Sequence, residues 1–279
     1  PGVVNIMTIT LLPAPKPRTI LMNQSLLNQP PPPFSREEAI IRPAMEPGDQ
    51  PVSPRVIMTF ARPDYHFLGR LIQAQKPRYI WDCAIREGVW NHRPITLAAP
   101  AVGAPYAAMI LEKLIALGGR MVLALGWCGS LQPRVKIGDL ALPDAAVSGD
   151  GASRHYAPEG QELRPAPGLQ ELLRRGLAAG DLSWHEGPVW TTDAFYRETP
   201  ALVKHYQAQG VMGVDLELAA LFAVGQFRRI PVAALLTVSD ELATLTWRPG
   251  YRSARFRQAR DLAARLVLDA AASWEEDHV

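Results

Sequence analysis

Asp215, Glu217 and Asp240 are the residues of this chain whose surroundings point most directly to chemistry. Asp215 and Glu217 lie in Gly213-Val214-Asp215-Leu216-Glu217-Leu218, where a helical pattern begins, and capping can account for one of the two. Glu217 falls within an otherwise apolar segment, 216–224. A carboxylate buried without partners is costly, so it needs a polar partner, and a pair of sugar hydroxyls would serve. Asp240 follows a largely apolar run and precedes Glu241. In a partly desolvated pocket at a strand end its pKa would rise, and it could hand over a proton near neutral pH; a structural helix cap is the alternative. Open α/β sheets bind ligands at such strand ends.

Two further signals are weaker. Gly126-Trp127-Cys128-Gly129-Ser130, after an apolar run, either lets backbone N–H groups approach an anion or sugar or makes a plain tight turn. It is neither a Walker A sequence nor a dinucleotide fingerprint. Phe195 and Tyr196, adjacent in Trp190-Thr191-Thr192-Asp193-Ala194-Phe195-Tyr196, can stack on a flat heterocycle or pack into the core. Stacking of this kind contributes about 1–3 kcal/mol per base.

The elements that must position these residues are legible as alternating patterns. Apolar runs at 56–60, 94–99, 121–125 and 231–238 read as strands, with further strands at 138–143 and 186–192. The loop Ala61-Arg62-Pro63-Asp64 follows the first run. Helical spacing covers 107–117, ended by Gly118-Gly119, and recurs at 170–179, 219–227 and 253–274. This alternation over about 220 residues predicts an α/β fold with a mixed central sheet. Residues 1–54 differ, because proline recurs from Pro13 to Pro54, with Pro30 to Pro33 consecutive. Proline removes a backbone donor and restricts its predecessor, so the reading divides the chain into an extended arm or leader, 1–54, and a folded domain, 55–279.

The 279 residues are 48% hydrophobic and 20% charged, with a net charge of +2, which gives no broad electrostatic case for nucleic acid or an anionic membrane. The two cysteines, Cys83 and Cys128, suit a reducing compartment, and the six histidines have no metal-ligand spacing, so neither disulfide nor metal is expected. No apolar run reaches the roughly 18 residues of a membrane span, and the expectation is a soluble, cytoplasmic protein.

Four stretches together resemble the nucleoside phosphorylase and nucleosidase superfamily, which comprises purine nucleoside phosphorylases, uridine phosphorylases and methylthioadenosine/adenosylhomocysteine nucleosidases. They are 125–140 (Leu-Gly-Trp-Cys-Gly-Ser-Leu-Gln-Pro-Arg-Val-Lys-Ile-Gly-Asp-Leu), 192–196 (Thr-Asp-Ala-Phe-Tyr), 213–222 (Gly-Val-Asp-Leu-Glu-Leu-Ala-Ala-Leu-Phe) and Val238-Ser239-Asp240. The resemblance covers about residues 55–275. It implies a single three-layer α/β/α domain around a mixed, partly barrel-like sheet, assembled as a dimer or a hexamer of dimers. By the same resemblance Glu217 matches the glutamate that holds the ribose hydroxyls and Leu216 the methionine beneath the sugar. Phe195 and Tyr196 match the aromatic pair of the base pocket. Asp240 matches the acid that protonates N7 of a departing purine, and Arg252 the arginine assisting it. The implied reaction is cleavage of an N-glycosidic bond, with a nucleoside and inorganic phosphate as substrates and no cofactor.

The chain departs from that pattern on the acceptor side. Phe60-Ala61-Arg62-Pro63-Asp64-Tyr65 stands where phosphorylases carry an anion loop; before and after Gly126, Ala124 replaces an arginine and Trp127 a hydroxyl residue. Losing a guanidinium and a hydroxyl removes charge-assisted bonds that a phosphate dianion needs. Arg62, Arg78 and Arg86 are the candidates to compensate, and Asp64 is the candidate to activate water instead. Arg197-Glu198-Thr199 replaces the Gly-Gln-x-Arg by which uridine phosphorylases hold uracil, which favours a purine, although Gly129-Ser130-Leu131-Gln132-Pro133 reads closer to uridine phosphorylases. A phosphorylase acting on a purine nucleoside is therefore the first expectation. A nucleosidase using water, a uridine phosphorylase-like enzyme and a catalytically weak nucleoside-binding protein are the alternatives.

Overall fold

Ten strands among the described residues form one mixed sheet in the order β10-β9-β6-β7-β8-β5-β1-β4-β3-β2. The computed structural model describes residues 34–37 and 39–276. The strands are β1 (Arg55–Thr59), β2 (Arg78–Ile80), β3 (Cys83–Trp90), β4 (Arg93–Ala99), β5 (Met121–Ser130), β6 (Leu140–Gly149), β7 (Trp184–Thr192), β8 (Gly213–Asp215), β9 (Val232–Glu241) and β10 (Arg248–Pro249). Strand β9 also pairs in parallel with β5, so β9, β6, β7, β8 and β5 close on themselves as a small barrel, while β1 to β4 extend as an open wing. The parallel strands β1, β5 and β9 are apolar almost throughout because both faces of the sheet are covered.

Six helices among the described residues provide the covers: α1 (Arg62–Leu71), α2 (Ala104–Ala116), α3 (Pro167–Ala178), α4 (Pro200–Ala208), α5 (Leu218–Arg228) and α6 (Ala254–Ser273). One core gathers α2 and α5 over one sheet face, with Ile110, Leu114 and Phe222 buried. A second gathers α1, α3 and α6 over the other, with Leu68, Leu173 and Val267 buried. The result is the three-layer α/β/α domain with a partly barrel-like sheet. The consecutive prolines 30–33 and all earlier residues of the expected arm lie outside the described residues; residues 34–37 and 39–54 carry no helix or strand.

Several expectations need correction. The segment 126–130 is the second half of β5, not a turn, and its glycines serve close packing. A Cβ on Gly126 would sit 2.9 Å from the Phe60 ring, and one on Gly129 only 2.6 Å from Leu242 and 3.0 Å from Asp240. Residues 62–64 open helix α1 rather than a loop, since Pro63 stands in the first turn where its missing N–H is harmless.

Candidate functional site

The C-terminal ends of β5, β8 and β9 converge on a cavity of about 310 Å³, whose wall is completed by Phe60, Ala61, Val102, Phe195 and Glu198. Asp215, Leu216, Glu217, Ser239 and Asp240 all line it. Asp215 and Asp240, 25 residues apart in sequence, therefore meet at one place, as their position at strand ends predicts.

The structure separates the roles of Asp215 and Glu217. Asp215 caps α5: its Oδ2 accepts from the backbone N–H groups of Glu217 at 2.9 Å and Leu218 at 2.7 Å, and its Oδ1 accepts from Thr191 Oγ1 at 2.6 Å. Thr191 Oγ1 in turn accepts from the Ala219 N–H. Glu217 occupies the N-cap position without capping anything. Its side chain is thus free to face the cavity, where Oε1 accepts from the Gly103 N–H at 2.8 Å. Gly103 adopts φ 87° at the start of α2, a backbone conformation that favours glycine. Burial pushes both carboxyls up, and the Asp215 charge pushes Glu217 further. With three donors on Asp215 and one on Glu217, the proton resides on Glu217.

Asp240 is aimed by an irregularity. Opposite β5 the register runs Cys128 to Val238 and then Gly129 to Asp240, so Ser239 is an extra residue, and this bulge re-aims the side chains that follow. Asp240 Oδ1 accepts from Ser239 Oγ at 2.6 Å and Oδ2 from the Trp247 indole at 3.0 Å. Burial raises its pKa against both bonds. Strand β10 pairs antiparallel with β9, placing Pro249 opposite Asp240 and folding Trp247 back over the carboxylate. Arg252, expected beside Asp240, is instead exposed at the approach to α6, with its guanidinium 5.9 Å from the Tyr251 ring. The reason is that hairpin: the position beside Asp240 belongs to an indole.

Of the aromatic pair, Phe195 lines the cavity and is 43% exposed, whereas Tyr196 is 94% exposed, makes an edge contact with Phe195 and stays outside the lining. Glu198, which the sequence marked only as a departure, lines the cavity next to them; burial and the neighbouring Asp240 push its carboxyl up to about 7.

The wall on which the sequence places the acceptor is formed by Phe60, Ala61 and Trp127. Trp127 lines the cavity and donates its indole N–H to Asp64 Oδ2 at 2.7 Å, while its ring meets Phe256 edge-on at 4.9 Å. Asp64 is 1% exposed, its Oδ1 lies 3.1 Å from Arg260 Nε, and burial pushes it up to about 7. It is therefore engaged behind the wall, outside the lining. Gly126 is buried under Phe60 and Arg62 is exposed, and neither contributes to the lining. Arg78 is bound to Glu87 and the Pro51 carbonyl, and Arg86 to the carbonyls of Ala74 and Gln75. Among the described residues the lining thus holds four carboxyls and no Lys, Arg or His. Nor do the described residues contain a cluster of His, Cys, Asp or Glu that could hold a metal ion, or a helix long and apolar enough to cross a membrane.

Comparison with known proteins agrees with this architecture. The family model of the phosphorylase superfamily matches residues 44–272, and the chain belongs to that superfamily. It is 29% identical over 150 residues to a guanosine phosphorylase of Halorubrum lacusprofundi, a match spanning 53% of this chain and 61% of that protein. It is also 29% identical over 161 residues to a purine nucleoside phosphorylase of Bacillus cereus, spanning 56% of this chain and 68% of the relative. Among solved structures, a uridine phosphorylase from Vibrio fischeri superposes with a TM-score of 0.74 at 24% identity, covering 80% of this chain and 93% of that one. A purine nucleoside phosphorylase from Toxoplasma gondii gives 0.74 at 22% identity, covering 79% and 91%.

Proposed function

We propose that the chain cleaves the N-glycosidic bond of a purine nucleoside, with phosphate as the acceptor. One observation carries the reading: Glu217 and Asp240 line one small cavity, each with its carboxyl part-satisfied by the protein and raised by burial. Cleavage develops positive charge on the sugar and negative charge on the base. Asp240, whose pKa burial raises, gives its proton to N7 as the C–N bond breaks, so the base leaves neutral. Glu217 holds the ribose hydroxyls, with Gly103 fixing its orientation, and Leu216 lies against the sugar. Phe195 faces the base. Holding the sugar turns remote binding energy into orientation at the reacting carbon. The names of the relatives support phosphate as the group that then captures that carbon.

One observation favours water as a second reading. A phosphate dianion entering a lining of four carboxyls without a cation would meet repulsion rather than charge-assisted bonds. Phosphate use therefore requires a cation from beyond the lining, either Arg62, which adjoins Ala61, or a residue of a second subunit. Incubating the protein with purine and pyrimidine nucleosides, with and without phosphate, and following free base tests both readings. Release that depends on phosphate supports the phosphorylase, and equal release without it supports the hydrolase. Tight nucleoside binding without release from any substrate would overturn both.

A further inference from the structure

Glu198 stands apart from the other carboxyls of the cavity. Asp215 is held by three donors, Glu217 by the Gly103 N–H, and Asp240 by Ser239 and Trp247. No hydrogen bond or ion pair holds the Glu198 carboxyl among the described residues, although the side chain lines the cavity and is partly buried. It follows the 3-10 turn Phe195–Arg197, so the same loop delivers an aromatic ring and an unsatisfied carboxyl to the cavity. An acceptor of this kind leaves bonding capacity for a ligand, and burying it unpaired is unfavourable.

We propose that Glu198 reads the base, accepting a hydrogen bond from an exocyclic amino group beside the nitrogen that Asp240 protonates, so that 6-aminopurine nucleosides are the preferred substrates. This rests on the assignment of Asp240 to the base nitrogen. Glu198 and Asp240 line the same small cavity, and the Asp240 charge bears directly on the Glu198 carboxyl. Carboxyls that line one small cavity and feel each other's charge avoid ionising together. In the free site the Asp240 charge pushes the Glu198 carboxyl up; a bound purine whose N7 accepts from Asp240 and whose amino group donates to Glu198 favours the proton on Asp240 and the charge on Glu198. On a purine, the substituent next to N7 on the edge away from the sugar is the one on C6. An amino group there donates; the oxo group of hypoxanthine or guanine only accepts and would face the carboxylate unpaired. A site built to pair one donor rejects the analogue lacking it, because its own buried group is then left unsatisfied. This specificity would set the chain apart from the relative named for guanosine, a 6-oxopurine nucleoside.

The test is the ratio of kcat/KM for adenosine, inosine and purine riboside, which has no C6 substituent, in the wild type and in Glu198→Gln. The wild type is expected to favour adenosine over inosine at least tenfold. The glutamine amide keeps the side-chain shape but can donate to an oxo group, so the variant should lower that ratio at least tenfold and also lower the ratio of adenosine to purine riboside. A wild-type preference for inosine, or a ratio unmoved by Glu198→Gln in a variant with wild-type melting, overturns the proposal. Calorimetry with free adenine and hypoxanthine separates it from the cleavage reading. If no nucleoside releases base, cleavage falls, and Glu198 is still decided by whether adenine binds at least tenfold more tightly than hypoxanthine. Equal or absent binding of the two overturns it.

Discussion

Each carboxyl of the cavity has its own set of hydrogen-bond donors, and that set indicates what its removal should do. Asp240→Asn keeps the Ser239 and Trp247 neighbours but has no acidic proton to give. On the proposed reading base release should slow about 100- to 10,000-fold while nucleoside binding changes little, as measured by single-turnover release beside equilibrium binding. An unchanged rate would remove Asp240 from the mechanism. On the same reading Glu217→Ala removes two hydrogen bonds to the ribose hydroxyls, about 1–3 kcal/mol together, so kcat/KM for a ribonucleoside should fall roughly 5- to 150-fold. The loss should largely vanish for a 2′,3′-dideoxy substrate, and an equal loss on both substrates would assign Glu217 to something other than the hydroxyls. At this scale the sequence was informative where side-chain type alone matters. It marked Glu217 and Asp240, but it left open whether Asp215 or Glu217 caps the helix, a matter the backbone N–H directions decide. It also set Arg252 beside Asp240, because spacing to Phe256 says nothing about the hairpin that carries Trp247 there.

At the scale of elements, two devices hold the site. Asp215 joins β8 to α5 and, through Thr191, to β7. Asp215→Ala should therefore destabilise the protein by about 2–4 kcal/mol, combining a lost cap with a poorly satisfied Thr191, readable as a shift of the urea midpoint at constant slope. Asp64, on α1, joins Trp127 of β5 to Arg260 of α6. Asp64→Ala leaves that largely buried guanidinium short of a partner and should cost about 3 kcal/mol. A loss below 1 kcal/mol would mean that Arg260 relaxes to solvent or that its existing bond to Asp261 suffices. Long apolar runs made β1, β4, β5, β9 and α5 legible, since burial on both faces leaves a continuous signal. Strand β3 is only half-buried on both faces from Arg86 to Gly88, and β8 is only three residues long, so neither produces a pattern that periodicity can detect.

The whole molecule buries several carboxyls whose pKa is raised, and this gives its stability an unusual pH dependence. Asp64 and Glu198 are pushed up to about 7, and Asp215, Glu217 and Asp240 are raised as well. A raised carboxyl binds a proton in the folded chain that the unfolded chain has released. Its contribution is therefore full below the ordinary carboxyl range near pH 4 and is lost as pH rises through the folded value. Each proton so held lowers stability by about 1.4 kcal/mol per pH unit across that window. Denaturant midpoints should fall between pH 5 and pH 7, and Glu217→Gln, which cannot ionise, should flatten the fall. A midpoint that rises over this range would show the cavity carboxyls to be ionised.

The turn Phe195–Arg197 contains no buried residue, yet Phe195 and the following Glu198 both face the cavity. The residues proposed to meet the base therefore lie outside the load path of the fold, whereas those assigned to the sugar and the leaving group are anchored in strands and caps. Selection can rewrite what this protein accepts by changing one surface loop, at little risk to folding. Descendants of such a chain should diverge in substrate well before they diverge in chemistry.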